Sequence, residues 1–181
     1  MPATNARPVR IWSHDESRWG LITVRRRRIT VRGVKPVGTI QHQYANCWCF
    51  GCVAPATGDA DVQLLPNLDA AHMQVFLDGF AKRHQDTFNI IVLDRSGAHT
   101  AKTLRLPENI ALIFLPAWSP ERNPIERVWE DVRRQMAWKW FPHLEGLKDE
   151  LEAVLAAYTR ERLHSLSGYA YLVEAELAMV S

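Results

Sequence analysis

Cysteine is scarce in this 181-residue chain: there are three, all inside Cys47-Trp48-Cys49-Phe50-Gly51-Cys52. Three thiols within six residues, with no secretory signal ahead of them, give little ground for a disulfide framework. A zinc site from Cys47, Cys49, Cys52 and His42 is one reading of them. The other is a strand in which Cys47 and Cys49 share a face, Cys52 points the other way, and all three are small buried side chains. No apolar run reaches 18 residues, so nothing reads as a membrane-spanning helix. Signal peptide, internal repeat and low-complexity tract are also missing, and the expected location is the cytoplasm.

What is present is ordinary globular composition, 47% hydrophobic and 23% charged, at a length that suits one domain with a substantial core. The net charge of +2 conceals an asymmetry. Residues 7–35 carry nine basic side chains against two acids, whereas residues 145–181 carry seven acids against three bases. A basic front and an acidic tail suit a polyanion on one face. Read blandly, Arg25 to Arg28 are simply a solvated charge run.

Residues 1–8 are polar, hold two prolines and read as a linker stub. A strand follows from Val9, with Val9, Ile11, Ser13 and Asp15 on one side and Asp15 at or just past its end. Trp19–Val24 reads as a second strand, Tyr44–Ala54 as a long third and Val62–Leu65 as a short fourth, an antiparallel run. The period then changes to that of a helix from Asp69, its cap, to Gln85. Asn89–Leu93 is apolar on both faces, as a central strand covered on each side would be. Asp94 stands directly at its end, where active sites of open α/β sheets gather; as an alternative it caps the next helix. A short helix over Thr100–Leu106, a buried strand Ile110–Leu115, a helix Leu144–Arg162 and a last helix Gly168–Met179 complete the order.

The most specific stretch is Pro116 to Glu130. Asn123 reads as an N-cap, Pro124 as the first helical residue, and Ile125, Val128, Trp129, Val132 and Met136 as one buried stripe. Glu126 falls at its edge, three residues past the cap. It either completes a capping box or serves as a metal ligand. Asp15, Asp94 and Glu126 thus sit on three separate elements. Three carboxylates around one cleft repel unless cations lie among them, and hard oxygen ligands select Mg²⁺ or Mn²⁺.

The chain resembles the DDE transposases of the mariner superfamily, in particular their bacterial insertion-sequence branch. The resemblance rests on Asp15-Glu16-Ser17 after an apolar strand, Leu93-Asp94 with Gly97 and His99, and Leu115-Pro116 through Ser119-Pro120 to Asn123-Pro124-Ile125-Glu126 and Trp129. Departures are Arg95-Ser96 where the family has Asn-Ala, Ala117-Trp118 where it has Pro-Tyr, and Arg122 where it has Leu.

The resemblance implies an α/β, RNase H-like fold with a mixed sheet, antiparallel strands first and then parallel, flanked by helices. It implies a catalytic domain over 9–165, a helical tail over 166–181, and a triad of Asp15, Asp94 and Glu126 binding two Mg²⁺ ions, with Mn²⁺ as substitute. The chemistry implied is DNA cleavage and strand transfer at transposon ends, by a homodimer. The family's N-terminal helix-turn-helix domain is expected elsewhere, separate or joined by frameshifting. Arg25, Arg26, Arg27, Arg28 and Arg32 are the expected phosphate contacts, with Trp118 stacking on a base and His99 touching the scissile phosphate. Competing readings are a ribonuclease H or junction resolvase, and a catalytically idle remnant that only binds DNA or dimerises.

Overall fold

The structure, a computed structural model, describes residues 6–27, 29–35, 37–116 and 119–180. Five strands form one sheet: β1 (Val9–Gly20), β2 (Asn46–Val53), β3 (Ala60–Leu65), β4 (Phe88–Leu93) and β5 (Ile110–Phe114), in the order β3-β2-β1-β4-β5. β1–β2 and β2–β3 are antiparallel, whereas β1–β4 and β4–β5 are parallel. That is the mixed order expected from the sequence. β4 is buried at every position, as its doubly apolar sequence requires.

Helix α1 (Ala70–Arg83) covers one face, packing Met73, Phe76, Leu77 and Phe80 against Trp12, Phe50, Cys52 and Ile91. On the other face α2 (Ile125–Gln135), α3 (Leu144–Ala156) and α4 (Arg160–Ser167) close a core around Trp19, Cys47, Cys49, Val128, Trp129 and Leu151. α5 (Ala170–Val180) packs Leu172 among Ile11, Ile90 and Val92. Its Glu176 carboxylate accepts the Ile11 N–H at 2.7 Å, before the β1–β2 ladder begins at Ser13. Tyr171 on the same helix donates its hydroxyl proton to the Arg122 carbonyl, pinning the loop ahead of α2.

Several boundaries differ from the sequence reading, each for a physical reason. Of the expected second strand Trp19–Val24 only Trp19 and Gly20 lie in the sheet, as the end of a long β1 that changes partners along its length, pairing with β4 over Val9–Ser13 and with β2 over Ser13–Gly20. Asp15 therefore lies inside a strand but beyond its parallel ladder. The described residues between Leu21 and Ala45 form an irregular excursion, tied back by Leu21 N–H to Ala45 O and Thr23 N–H to Gln41 O. No helix forms over Thr100–Leu106, because the Gln74 side chain binds both the N–H and the C=O of Arg105. The expected helix Leu144–Arg162 is two, broken where extended Thr159 caps α4 by accepting the Arg162 N–H.

Gly51 decides how closely α2 approaches. A Cβ there would lie 2.6 Å from two ring carbons of Trp129 and 3.2 Å from Cδ1 of Ile125, so the helix rests where a side chain would stand. Gly51→Ala should accordingly cost about 1–3 kcal/mol of stability, the usual range for overpacking a filled core. Equilibrium denaturation would register this, and an unchanged midpoint would mean that the α2 contact is looser than described.

Candidate active site

Strand alternation sorts the residues around Asp15. Ser13, Asp15 and Ser17 face the α2 side, and His14 and Glu16 face α1, where His14 stacks on Phe76 with ring centres 4.8 Å apart. The β1–β4 ladder ends with Ser13 opposite Val92. Carried two residues further, the same register sets Asp15 level with Asp94, which follows the last residue of β4.

Glu126 arrives from the other side. The sequence reading has Asn123 capping α2 and Glu126 either completing a capping box or serving as a metal ligand; in the structure the cap position is Pro124 and the helix start has no side-chain cap. The Asn123 amide instead donates to the His14 carbonyl at 2.8 Å. That carbonyl is buried where β4 no longer pairs, and a buried backbone acceptor needs a partner. One hydrogen bond thus fixes the start of α2 beside Asp15 and leaves the Glu126 carboxylate out of a cap.

The three acids share one electrostatic neighbourhood. Burial, helped by the charges of Glu126, Glu16 and Asp94, pushes the Asp15 carboxyl from 3.8 to about 8. Glu16 goes the other way. Burial works against its charge, yet His14 and His99 outweigh it and hold the carboxyl far below the usual range. Its Oε1 lies 3.0 Å from His14 Nε2 and 2.8 Å from His99 Nε2. Burial likewise opposes protonation of His99, but Glu16 and Asp94 raise its pKa on balance. Among the described residues, His14, Glu16 and His99 are the trio whose potential ligand atoms all lie within 4.8 Å of one another.

His99 needs correcting. Its side chain is 0% exposed, and its other nitrogen, Nδ1, lies 2.7 Å from Asp94 Oδ1, so it does not reach a scissile phosphate. The zinc reading of the cysteines also fails. Cys47 and Cys49 lie in the core beneath α2, Cys52 lies in the core beneath α1, His42 is exposed, and burial raises all three thiol pKa values.

Arg25, Arg27 and Arg32 are exposed, and Arg25 to Arg27 line a surface cavity of about 680 Å³ with Arg134, Ala137 and Trp138. Arg26 is engaged by Glu130 through two contacts of 2.6 Å. The segment is anchored to the end of α2 by the Trp138 ring N–H on the Arg26 carbonyl. Arg28 and Trp118 lie outside the described residues. Arg133, which the sequence reading passed over, donates to Ser17 Oγ at 2.8 Å on the face that carries Asp15. Its spacing of seven from Glu126, two helical turns, was the available signal.

The mixed five-stranded sheet, antiparallel and then parallel and flanked by helices, is an RNase H-like fold. The chain belongs to the DDE superfamily endonucleases, whose family profile matches residues 10–148. It is 38% identical over 87 residues to the uncharacterized protein y4pE/y4sA of Sinorhizobium fredii (strain NBRC 101917 / NGR234), a match covering 48% of this chain and 64% of that one. Its fold matches the Mos1 transposase paired-end complex with left transposon end at a TM-score of 0.69 and 19% identity, over 94% of this chain and 54% of that one. The Mos1 strand transfer complex gives 0.68 and 20%, over 94% and 53%. The chain thus spans less than two thirds of that relative and about half of Mos1. The expected DDE family is thus borne out, and the likeness to the mariner transposase Mos1 is one of fold. Among the described residues no helix is long and apolar enough to cross a membrane.

The Asp15 shift has a sign that can be tested. An unfolded Asp15 releases its proton near 3.8, and the native one holds it to about 8, so the native state binds more protons between those values. Stability should fall as pH rises through this window. The raised pKa of His99 acts in the same direction. In EDTA, the melting temperature should drop between about pH 4.5 and 8, and Asp15→Asn should flatten the curve. A melting temperature that climbs over that range would separate Asp15 from its acidic neighbours.

Proposed function

We propose that this chain is the catalytic part of an insertion-sequence transposase, cleaving DNA strands at transposon ends and joining them to target DNA with two divalent ions, Mg²⁺ or Mn²⁺, held by Asp15, Asp94 and Glu126. What supports this reading is placement: the β1–β4 register sets Asp15 level with Asp94, and the Asn123 amide on the His14 carbonyl fixes the start of α2, which carries Glu126, beside them; the charges of Glu126 and Asp94 act on the Asp15 carboxyl in the direction that divalent cations would relieve. The donor set fits such ions: carboxylate oxygens suit a hard cation. Mos1 complexes with Mn and with Mg are relatives in fold. When bound, two ions would stabilise charge on the attacking and leaving oxygens of an in-line displacement at phosphorus.

The chain's own residues would do the positioning. Exposed Arg25, Arg27 and Arg32, with Arg133 beside Asp15's face, would neutralise phosphates and hold DNA without reading its sequence. A homodimer bringing two ends together and a helix-turn-helix segment reading the terminal repeat belong to the same proposal. Exposed Ile29, Val31 and Val34 on the arginine-bearing excursion offer apolar surface for a second copy.

Nicking of supercoiled DNA in Mn²⁺ tests the triad. Asp15→Asn, Asp94→Asn and Glu126→Gln should each lower the rate about 100-fold or more, at ~1.4 kcal/mol per decade. Glu130→Gln should leave it largely intact, because that carboxylate is already committed to Arg26. A parental rate in Glu126→Gln would remove Glu126 from the site.

Binding to random duplex should weaken steeply with salt. Replacing Arg25, Arg27 and Arg32 together by Ala should reduce the slope of log affinity against log salt by about one for each phosphate no longer neutralised. Arg26→Ala should reduce it less. Equal slopes in all variants would place the DNA on another face.

A further inference from the structure

Asp94 is the most exposed carboxylate of the three acids, with a side chain 60% open, and an exposed Asp is ordinarily free to rotate. Here it is not. Its Oδ1 accepts the Ser96 N–H at 3.0 Å and lies 2.7 Å from His99 Nδ1, so both contacts fall on one oxygen. His99 is in turn held at both nitrogens, by Asp94 on one side and by Glu16 Oε1 at 2.8 Å on the other. The same Glu16 oxygen takes His14 Nε2 at 3.0 Å, and His14 Nδ1 lies 2.8 Å from the Gly51 carbonyl. An unbroken run of close polar contacts, hydrogen-bonded throughout when both imidazoles carry two protons, therefore leads from the β2 backbone, through the α1 side of β1, to the carboxylate at the end of β4. His14 and His99 are wholly buried in side chain and Glu16 nearly so, at 4%. No part of this run reaches the cleft except Asp94.

We propose that Glu16 and His99 are positioning residues, which fix Asp94 through Oδ1 so that its second oxygen is aimed in advance at a divalent cation, with His14 holding Glu16 in place. The inference rests on the reading of Asp94 as a metal ligand. Groups that orient a ligating carboxylate are worth about 10–100-fold in metal affinity. The device suits its place. Asp15 is held by a strand and Glu126 by a helix, but Asp94 begins a loop, and without an outside restraint its carboxylate would lose rotamer freedom on every binding event. Glu16 can serve because strand alternation sends it behind the sheet while Asp15, its neighbour, faces the cleft.

The test is Mn²⁺ binding to the whole chain, read from the electron paramagnetic resonance signal of the free ion, beside melting without metal. His99→Leu should raise the Mn²⁺ Kd about tenfold or more. His99→Asn, whose amide N–H can stand where the ring Nδ1 stands, should recover most of that loss, and Glu16→Gln should fall between. A merely structural role predicts lower metal-free melting temperatures with the Kd unchanged, and that result would overturn the proposal. Asp94→Asn separates this failure from that of the underlying reading: if it too leaves Mn²⁺ binding intact, Asp94 is not a ligand and the proposal goes with it. Stoichiometric zinc in the purified protein, kept by Asp94→Asn and lost by Glu16→Gln, would overturn it differently, making the buried trio a metal site of its own.

Discussion

The contact on which the arrangement turns is between Trp129 and the bare backbone of Gly51. Gly51 is the β2 residue paired with Asp15, and the absence of a side chain there lets the indole take its space. That contact sets the distance of α2 from the sheet, and with it how near Glu126 stands to Asp15. The Asn123 amide on the His14 carbonyl sets the position along the strand. A packing contact and one buried hydrogen bond, neither involving an acid, bring acids together against their own repulsion.

β1 is used twice along its length and twice across its faces. Lengthwise it serves a parallel ladder and then an antiparallel one, and the exchange of partners occurs at Ser13, two residues before Asp15. Crosswise, neighbouring acids meet opposite electrostatic surroundings. Asp15 sits among like charges that favour its protonated form, whereas Glu16 is flanked by two imidazoles that favour its ionised form. A carboxylate crowded by like charges and a carboxylate satisfied by two imidazoles are thus consecutive residues, separated by the thickness of one sheet.

The basic surface is attached to the same helix that carries Glu126. Glu130 grips Arg26, the Trp138 ring N–H binds the Arg26 carbonyl, and Arg133 reaches Ser17. Part of the basic surface and the Glu126 carboxylate are therefore positioned by one helix. Arg26 is a tether rather than a free contact, because a bidentate arginine–carboxylate pair fixes both side chains in one geometry.

The sequence by itself determined the elements whose pattern is local. The doubly apolar run Asn89–Leu93 had to be a covered central strand, Asp69 had to cap α1, and the parity of Val9, Ile11, Ser13 and Asp15 was fixed by a period of two. The Asn-Pro-Ile-Glu stretch also carried its family with it. Tertiary structure alone decided the rest. That Trp19 and Gly20 continue β1 while Leu21 to Val24 leave the sheet depended on where the distant strand Asn46–Val53 offered a partner. Asn123 left its expected cap because a buried carbonyl 109 residues earlier lacked one. His99 turned inward because Glu16, 83 residues away, waits behind the sheet. Propensity and spacing record what a residue can do with its neighbours in sequence. Which polar group is left unsatisfied in the folded interior, and so claims it, exists only once the chain has packed.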